Sequence, residues 1–351
     1  LNISPFLSFI MFAGSDGKAL TALFDILKAF AILFSIGLIA AGIVLLYYGA
    51  EFLLSGGVSL ARRAGMSQLV VGVTLAAFAT SSPEFVVSVS SALNGAADVS
   101  IGNVVGSNIC NIALILGLCA MIRPLPVNPA LKRFDMPVMV AASVILVQLY
   151  GLSGGINRIW GAVLTLGIIV YTTMSVIFAR REGAKRTEES AKTEDEKPEK
   201  LHSTAISLLL VAVGLTSLIV GTKVFLKGAL LIADACYISE AVTGLTIVAV
   251  GTSLPELATS VVAAIRKQND IAIGNIIGSC IFNILAIPGV VSMISPLYGK
   301  NIRIADFIVM GGVTILLSVM MLTGKKLSRI EGAILFATYC GYTAWLIAAH
   351  Q

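Results

Sequence analysis

The sequence predicts an all-α polytopic membrane protein: ten transmembrane helices in two inverted five-helix repeats. Three observations carry this. The 351 residues are 57% hydrophobic and 12% charged, against about 45–50% and about 25% in soluble proteins, and the mean hydropathy is +0.95. Ten apolar stretches approach or exceed the roughly 20 residues needed to cross roughly 30 Å of hydrocarbon. A 46-residue segment recurs at a constant offset in the second half of the chain. This composition excludes a soluble globular enzyme, a disordered chain and a nucleic-acid binder.

In order, the expected spans are 30–54, 66–92, 99–121, 135–153, 156–179, 204–232, 239–265, 271–294, 303–323 and 328–348. Residues 1–29 precede them. Ile3 to Ala13 is apolar but too short to span and has no basic region ahead of it, so 1–29 is expected to be an interfacial or flexible lead-in rather than a signal peptide. The first five-helix half then covers 30–179 and the second 204–351. Residues 180–203 join them, and Arg180 to Lys200 carries seven basic and seven acidic residues with no apolar run. It reads as a solvated linker.

Basic residues set the orientation. With the linker in the cytoplasm, Arg62, Arg63, Arg123, Lys132, Arg133, Arg266, Lys267, Lys325, Lys326 and Arg329 join it, giving 17 of the 24 Lys and Arg against five opposite. That bias predicts a cell-membrane protein with both termini extracellular and the linker cytoplasmic. Cys110, Cys119, Cys236, Cys280 and Cys340 form no CxxC and have no His at metal spacing; they read as small buried hydrophobes. Glu51 and Lys223, near the ends of their spans, read as snorkelling to the interface. Asp98 and Asp270 read as helix caps.

The repeat aligns Gly72–Gly117 with Gly244–Gly289 without a gap, at an offset of 172, with about 21 of 46 residues identical. Five spans per half is an odd number, so the second half enters the membrane from the opposite side. Secondary transporters use such inverted repeats to build a site near the bilayer midplane. Each copy places a carboxylate after a proline inside an apolar span, in Thr80-Ser81-Ser82-Pro83-Glu84 and Thr252-Ser253-Leu254-Pro255-Glu256. A charge at a helix centre costs at least about 2.5 kcal/mol on insertion scales, which makes both glutamates functional candidates. Proline has no N–H and clashes with the carbonyl four residues back, so Pro83 frees that of Ala79 and Pro255 that of Gly251. Ser81 and Ser253 stand three residues before the glutamates and are expected to share their faces.

The following span contributes Gly102, Asn103, Gly106, Ser107 and Asn111, repeated as Gly274, Asn275, Gly278, Ser279 and Asn283. Both GxxxG pairs are expected to bring helices close. Asn103 and Asn275 stay open between ion ligand and interhelical hydrogen bond. All these donors are oxygens, with no imidazole or thiolate among them. Such a set suits hard cations, and two carboxylates balance one Ca²⁺ or two Na⁺.

GTSLPE at Gly251 to Glu256, ATSSPE at Ala79 to Glu84, and GNxxGSxxxN at Gly274 to Asn283 resemble the two α-repeats of the calcium/cation antiporter superfamily, particularly the sodium/calcium exchangers. The resemblance implies Ca²⁺ ligands at Glu84, Glu256 and the carbonyls of Thr80 and Thr252. It implies Na⁺ positions at the Ala77 and Ala249 carbonyls, Ser81, Ser253, Ser107 and Ser279, with Asn111 and Asn283 at the centre. Some members, potassium-dependent ones included, have an acid where this chain has Asn283, so K⁺ dependence is not expected. No large cytoplasmic regulatory domain of the animal type is present in the 351 residues.

The expected function is secondary antiport of Na⁺ against Ca²⁺ by alternating access at a shared two-glutamate site. Ca²⁺ and Na⁺ are the substrates and the lipid bilayer the surroundings. No enzymatic chemistry, cofactor, nucleic acid or obligatory protein partner is implied. A proton/Ca²⁺ antiporter on the same scaffold is the alternative, because two close carboxylates can share a proton. A cation channel is a third reading, and an intramembrane protease a fourth. The Ser and Thr positions that suit Na⁺ weigh against the proton.

Overall fold

The computed structural model describes residues 17–190, 202–236, 249–298 and 303–348. Within them the chain is a helical bundle. Helix α1 is Gly17–Arg63, α2 is Gln68–Thr80 and α3 is Ser82–Leu93, α4 is Ala97–Ile122, α5 is Asp135–Ser153 and α6 is Arg158–Ser190. The second half has α7, Thr204–Ala235, α8, Ala249–Thr252, α9, Leu254–Ile265, α10, Asn269–Ile294, α11, Ile304–Thr323 and α12, Arg329–Ala348. Among the described residues eight helices are long and apolar enough to span, and α2 with α3 makes a ninth, bent by 42° at its break. The expected seventh span is described only from 249 onward.

Helix α1 continues back beyond residue 30 to Gly17, so part of the expected lead-in is helical; residues 1–16 lie outside the described chain. Likewise α6 runs on through Ser190, into the charged stretch that reads as linker.

Helices α4 and α10 form the centre. Of their most apolar windows 72% and 83% of residues are buried, against 17% in α1 and 11% in α12. The outer helices instead present large apolar side chains, among them Phe30, Ile159, Ile308 and Ile330. That is the surface of a protein solvated by lipid.

Helices α1 and α7 pack antiparallel along a seam the repeat window did not reach. Gly42, Gly49 and Gly56 recur at the 172-residue offset as Gly214, Gly221 and Gly228. Sevenfold spacing keeps each trio on one face. A Cβ added at Gly49 would lie 2.9 Å from the Leu218 nitrogen and 3.0 Å from the Gly214 oxygen, and one at Gly221 3.0 Å from the Leu46 nitrogen. Only glycine lets the backbones come this close.

Two further contacts recur at an offset of 171 or 172. Tyr171 donates to Asp135 and Tyr342 to Asp306, both at 2.8 Å, tying α6 to α5 and α12 to α11. Strand β1, Leu125–Pro126, pairs antiparallel with β2, Lys326–Leu327, through Leu125 and Leu327. The equivalent residues Leu297 and Ile156 form their own antiparallel bridge. Each half therefore lends a loop to the other.

Several expectations change. Asp98 and Asp270 lie in the first turns of α4 and α10, but the N-cap positions belong to Ala96 and Gln268; Asp270 accepts instead from Asn128 Nδ2 at 3.1 Å. Cys110, Cys119 and Cys280 are buried, while Cys236 and Cys340 are exposed. Glu51 does not snorkel: it forms an ion pair with Arg266, which follows α9. Lys223, its repeat counterpart, is exposed.

Candidate ion-binding site

The site begins at two breaks in the backbone. Ser81 (φ −82°, ψ 5°) interrupts the chain between α2 and α3, and Ser253 (φ −90°, ψ 12°) does the same between α8 and α9. Both sit in the bridge region between helix and strand conformations. Pro83 and Pro255 each occupy the first turn after the break, where a missing N–H disturbs nothing. The glutamate follows directly, so Glu84 and Glu256 lie at helix N-termini, the end that favours negative charge.

Both glutamates have no solvent-exposed surface. Ser81 Oγ donates to Glu256 Oε1 at 2.8 Å and Ser253 Oγ to Glu84 Oε1 at 3.1 Å. Contrary to what the three-residue spacing predicts, the serines therefore do not serve the glutamate of their own helix. A residue at a helix break no longer follows the helical rotation, and each Ser turns across to the other half. The crossed pair brings both carboxylates and both breaks into one place.

Most of the other expected positions are buried as well. Thr80, Ser107, Asn111, Ser279 and Asn283 are buried, as is Ala77, while Thr252 is half-buried. Ala249 opens α8. Asn111 falls in a π-helical stretch of α4, Cys110–Leu116, whereas Asn283 lies in the uninterrupted α10. Another π-helical stretch, Val71–Ala76, precedes Ala77. Extra residues in a turn widen a helix and recur at functional sites; nothing in the sequence marks them.

Asn103 and Asn275 make interhelical hydrogen bonds. Asn103 Nδ2 donates to Ser88 Oγ at 2.9 Å and to the Glu84 carbonyl at 3.1 Å; Asn275 Nδ2 donates to Ser260 Oγ at 2.9 Å. The GxxxG expectation holds for the second copy: a Cβ at Gly274 would meet the Leu69 oxygen at 3.0 Å and one at Gly278 the Val73 oxygen at 2.5 Å. For Gly102 and Gly106 no atom of the described residues lies within 4 Å, and the positions equivalent to Leu69 and Val73 lie outside the described residues.

The polar atoms left over define the chemistry. Glu84 Oε2, Glu256 Oε2, Ser279 Oγ and both amide atoms of Asn111 and Asn283 are buried without a hydrogen-bond partner. Bare buried polar atoms are costly unless something pairs with them. The two carboxylate oxygens, the Ser279 hydroxyl and the amide oxygens of Asn111 and Asn283 are hard donors of the kind a cation takes. A cavity of about 760 Å³ lined by Gly57, Leu60, Phe78, Ile168, Tyr171 and Phe282 among others lies alongside and reaches Ala77. Its walls are chiefly apolar, so it offers cations few ligands. Among the described residues no group of three or more His, Cys, Asp or Glu is placed to hold a metal, and this cluster relies on amides and hydroxyls beside its two acids.

Residues 34–177 and 206–348 match the family model described as sodium/calcium exchanger protein. The chain belongs to that family. The putative antiporter CaxA of Alkalimonas amylolytica is 33% identical to it over 318 residues, 89% of this chain and 98% of CaxA. The sodium/calcium exchanger MaX1 of Methanosarcina acetivorans is 27% identical over 332 residues, 86% of this chain and 95% of MaX1. Among solved structures, the sodium-calcium exchanger NCX_Mj, soaked with Na⁺ and Sr²⁺, matches with a TM-score of 0.75 at 33% identity, over 89% of this chain and 98% of that one. This exchanger-family chain is thus a multi-pass membrane protein, and both matched segments include their half's Pro-Glu motif.

Proposed function

We propose that this protein is a cation/Ca²⁺ antiporter that exchanges Na⁺ for Ca²⁺ at one site shared between its halves, by alternating access. The observation that carries the reading is the crossed pair Ser81–Glu256 and Ser253–Glu84, with the free carboxylate oxygens and the two unpaired central amides beside it. In this reading Ca²⁺ takes Glu84, Glu256 and the carbonyls of Thr80 and Thr252. Na⁺ takes the carbonyls of Ala77 and Ala249 together with Ser81, Ser107, Asn111, Ser253, Ser279 and Asn283.

Charge explains the exchange. Two carboxylates without a cation leave two negative charges where the effective dielectric constant is far below that of water. One Ca²⁺ or two Na⁺ cancel them, so either load crosses more easily than the empty site. Membership of the exchanger family and the similarity to NCX_Mj support this assignment. The domain layout proposed with it is a lead-in (1–29), two inverted halves (30–179 and 204–351) and a cytoplasmic linker, with both termini outside. The contacts recurring at the 171- to 172-residue offset support the two-half division, and the basic-residue bias supports the orientation.

The test is Ca²⁺ uptake into Na⁺-loaded proteoliposomes. Uptake that requires an outward Na⁺ gradient is expected, with no uptake from a pH gradient alone in Na⁺-free vesicles. ΔpH-driven uptake without Na⁺ would transfer the assignment to proton coupling. Unsaturable flux without countertransport would make the protein a channel.

A further inference from the structure

We infer that Asn275, and more weakly Asn103, is a positioning residue that holds ligands from opposite halves of the site in register. The inference rests on the ion-site reading above. Asn275 lies on α10 with no exposed surface. Its Nδ2 donates to Ser260 Oγ at 2.9 Å, and its Oδ1 accepts from Thr80 Oγ1 at 3.3 Å. Ser260 stands one helical turn after Glu256 on α9; Thr80 is the last residue before the break in the other half. One amide plane therefore spans the helix that carries one carboxylate and the backbone that carries a proposed carbonyl ligand.

Both ends of that amide make a hydrogen bond to a neighbouring helix, Nδ2 to Ser260 and Oδ1 from the Thr80 hydroxyl, whose other acceptor is the Ala77 carbonyl at 3.5 Å. Pinning this hydroxyl fixes the Thr80 backbone, and with it the direction of its carbonyl. Asn103 repeats the donor side of the arrangement: its Nδ2 bonds Ser88, one turn after Glu84, and the Glu84 carbonyl, and it is only half-buried. Losing the brace lets the Thr80 carbonyl and the Glu256 carboxylate drift apart. A doubly charged ion gains more from each aimed oxygen than a singly charged one, so Ca²⁺ binding suffers more than Na⁺ binding.

The experiment measures KM for Ca²⁺, half-saturation for Na⁺ and maximal exchange rate in proteoliposomes for N275A, T80V and the T80V/N275A pair. Thr80→Val removes the hydroxyl but keeps the carbonyl. Each single variant is expected to raise the Ca²⁺ KM about fivefold or more, to change Na⁺ half-saturation less than twofold, and to keep the maximal rate within about threefold. The double variant should be no worse than N275A, because both remove one interaction. S260A should shift the Ca²⁺ KM in the same direction, and N103A should shift it less than N275A. If N275A does not fold, T80V and S260A decide the matter. An unchanged Ca²⁺ KM in a folded N275A, additive effects, or equal losses for Ca²⁺ and Na⁺ would overturn the positioning role. E84Q run alongside separates the two levels: near-normal transport by E84Q removes the ion-site reading itself, whatever N275A does.

Discussion

Glu84 and Glu256 each hold one oxygen on a serine of the opposite break and keep the other free. Glu84→Gln and Glu256→Gln preserve shape and the serine's acceptor while removing the charge. Each is expected to abolish Na⁺-dependent Ca²⁺ uptake with folding retained, checked by flux beside a thermal melt. The neutral centre makes a second prediction. With Asn111 and Asn283 uncharged, Ca²⁺ already brings the site to zero, and an added K⁺ would leave a positive charge where water is scarce. Initial Ca²⁺ uptake should stay constant when K⁺ is replaced by choline on both sides. A rate rising from zero with K⁺ would defeat the charge argument. The carboxylates, serines and central amides were legible in the sequence because each appears twice in matched surroundings. The partner of Ser81 was not, since helical spacing describes only neighbours on the same helix. Thr80 to Asn275 and Ser81 to Glu256 span 195 and 175 residues, distances no local pattern reports.

At the scale of elements, apolar length placed nearly every span, and the Ser-x-Pro-Glu pattern placed the breaks. The glycine seam between α1 and α7 went unread because its trios lie outside the compared repeat and look like ordinary membrane glycines. The π-helical stretches in α2 and α4 had no sequence signal at all. The seam is open to direct test. Gly49→Ala sets a methyl against the Leu218 nitrogen and the Gly214 oxygen, both backbone, whereas a methyl at Gly37 meets nothing within 4 Å among the described residues. Gly37→Ala is expected to be neutral or to stabilise by up to about 1 kcal/mol through helix propensity. Gly49→Ala should destabilise by about 1–3 kcal/mol, the usual range for overpacking. Melting curves in one detergent compare the two. Equal shifts would show that the seam tolerates separation.

For the whole molecule, composition alone indicates a lipid solvent, and the duplicated segment predicts a plan of two halves. Where the halves differ was harder to foresee. Glu51 pairs with Arg266, while the equivalent positions hold Lys223 and Asn94, which have no opposite charges to share. Arg266 follows Glu256 by ten residues, about 15 Å along a helix, so the pair clasps α1 to the far end of the element that begins at the site. In the proposed alternating-access cycle, opening that side would separate this pair, and the equivalent positions on the other side hold no such pair. The clasp would then tilt the balance toward one side at rest even when both solutions are identical. A partly exposed pair is worth about 0.2–1 kcal/mol, enough to shift the resting ratio by up to about fivefold. Glu51→Gln should level it. The ratio of labelling rates for single-cysteine reporters on the two faces would move toward the Arg266 side, and an unmoved ratio would mean that the clasp carries no weight in the cycle.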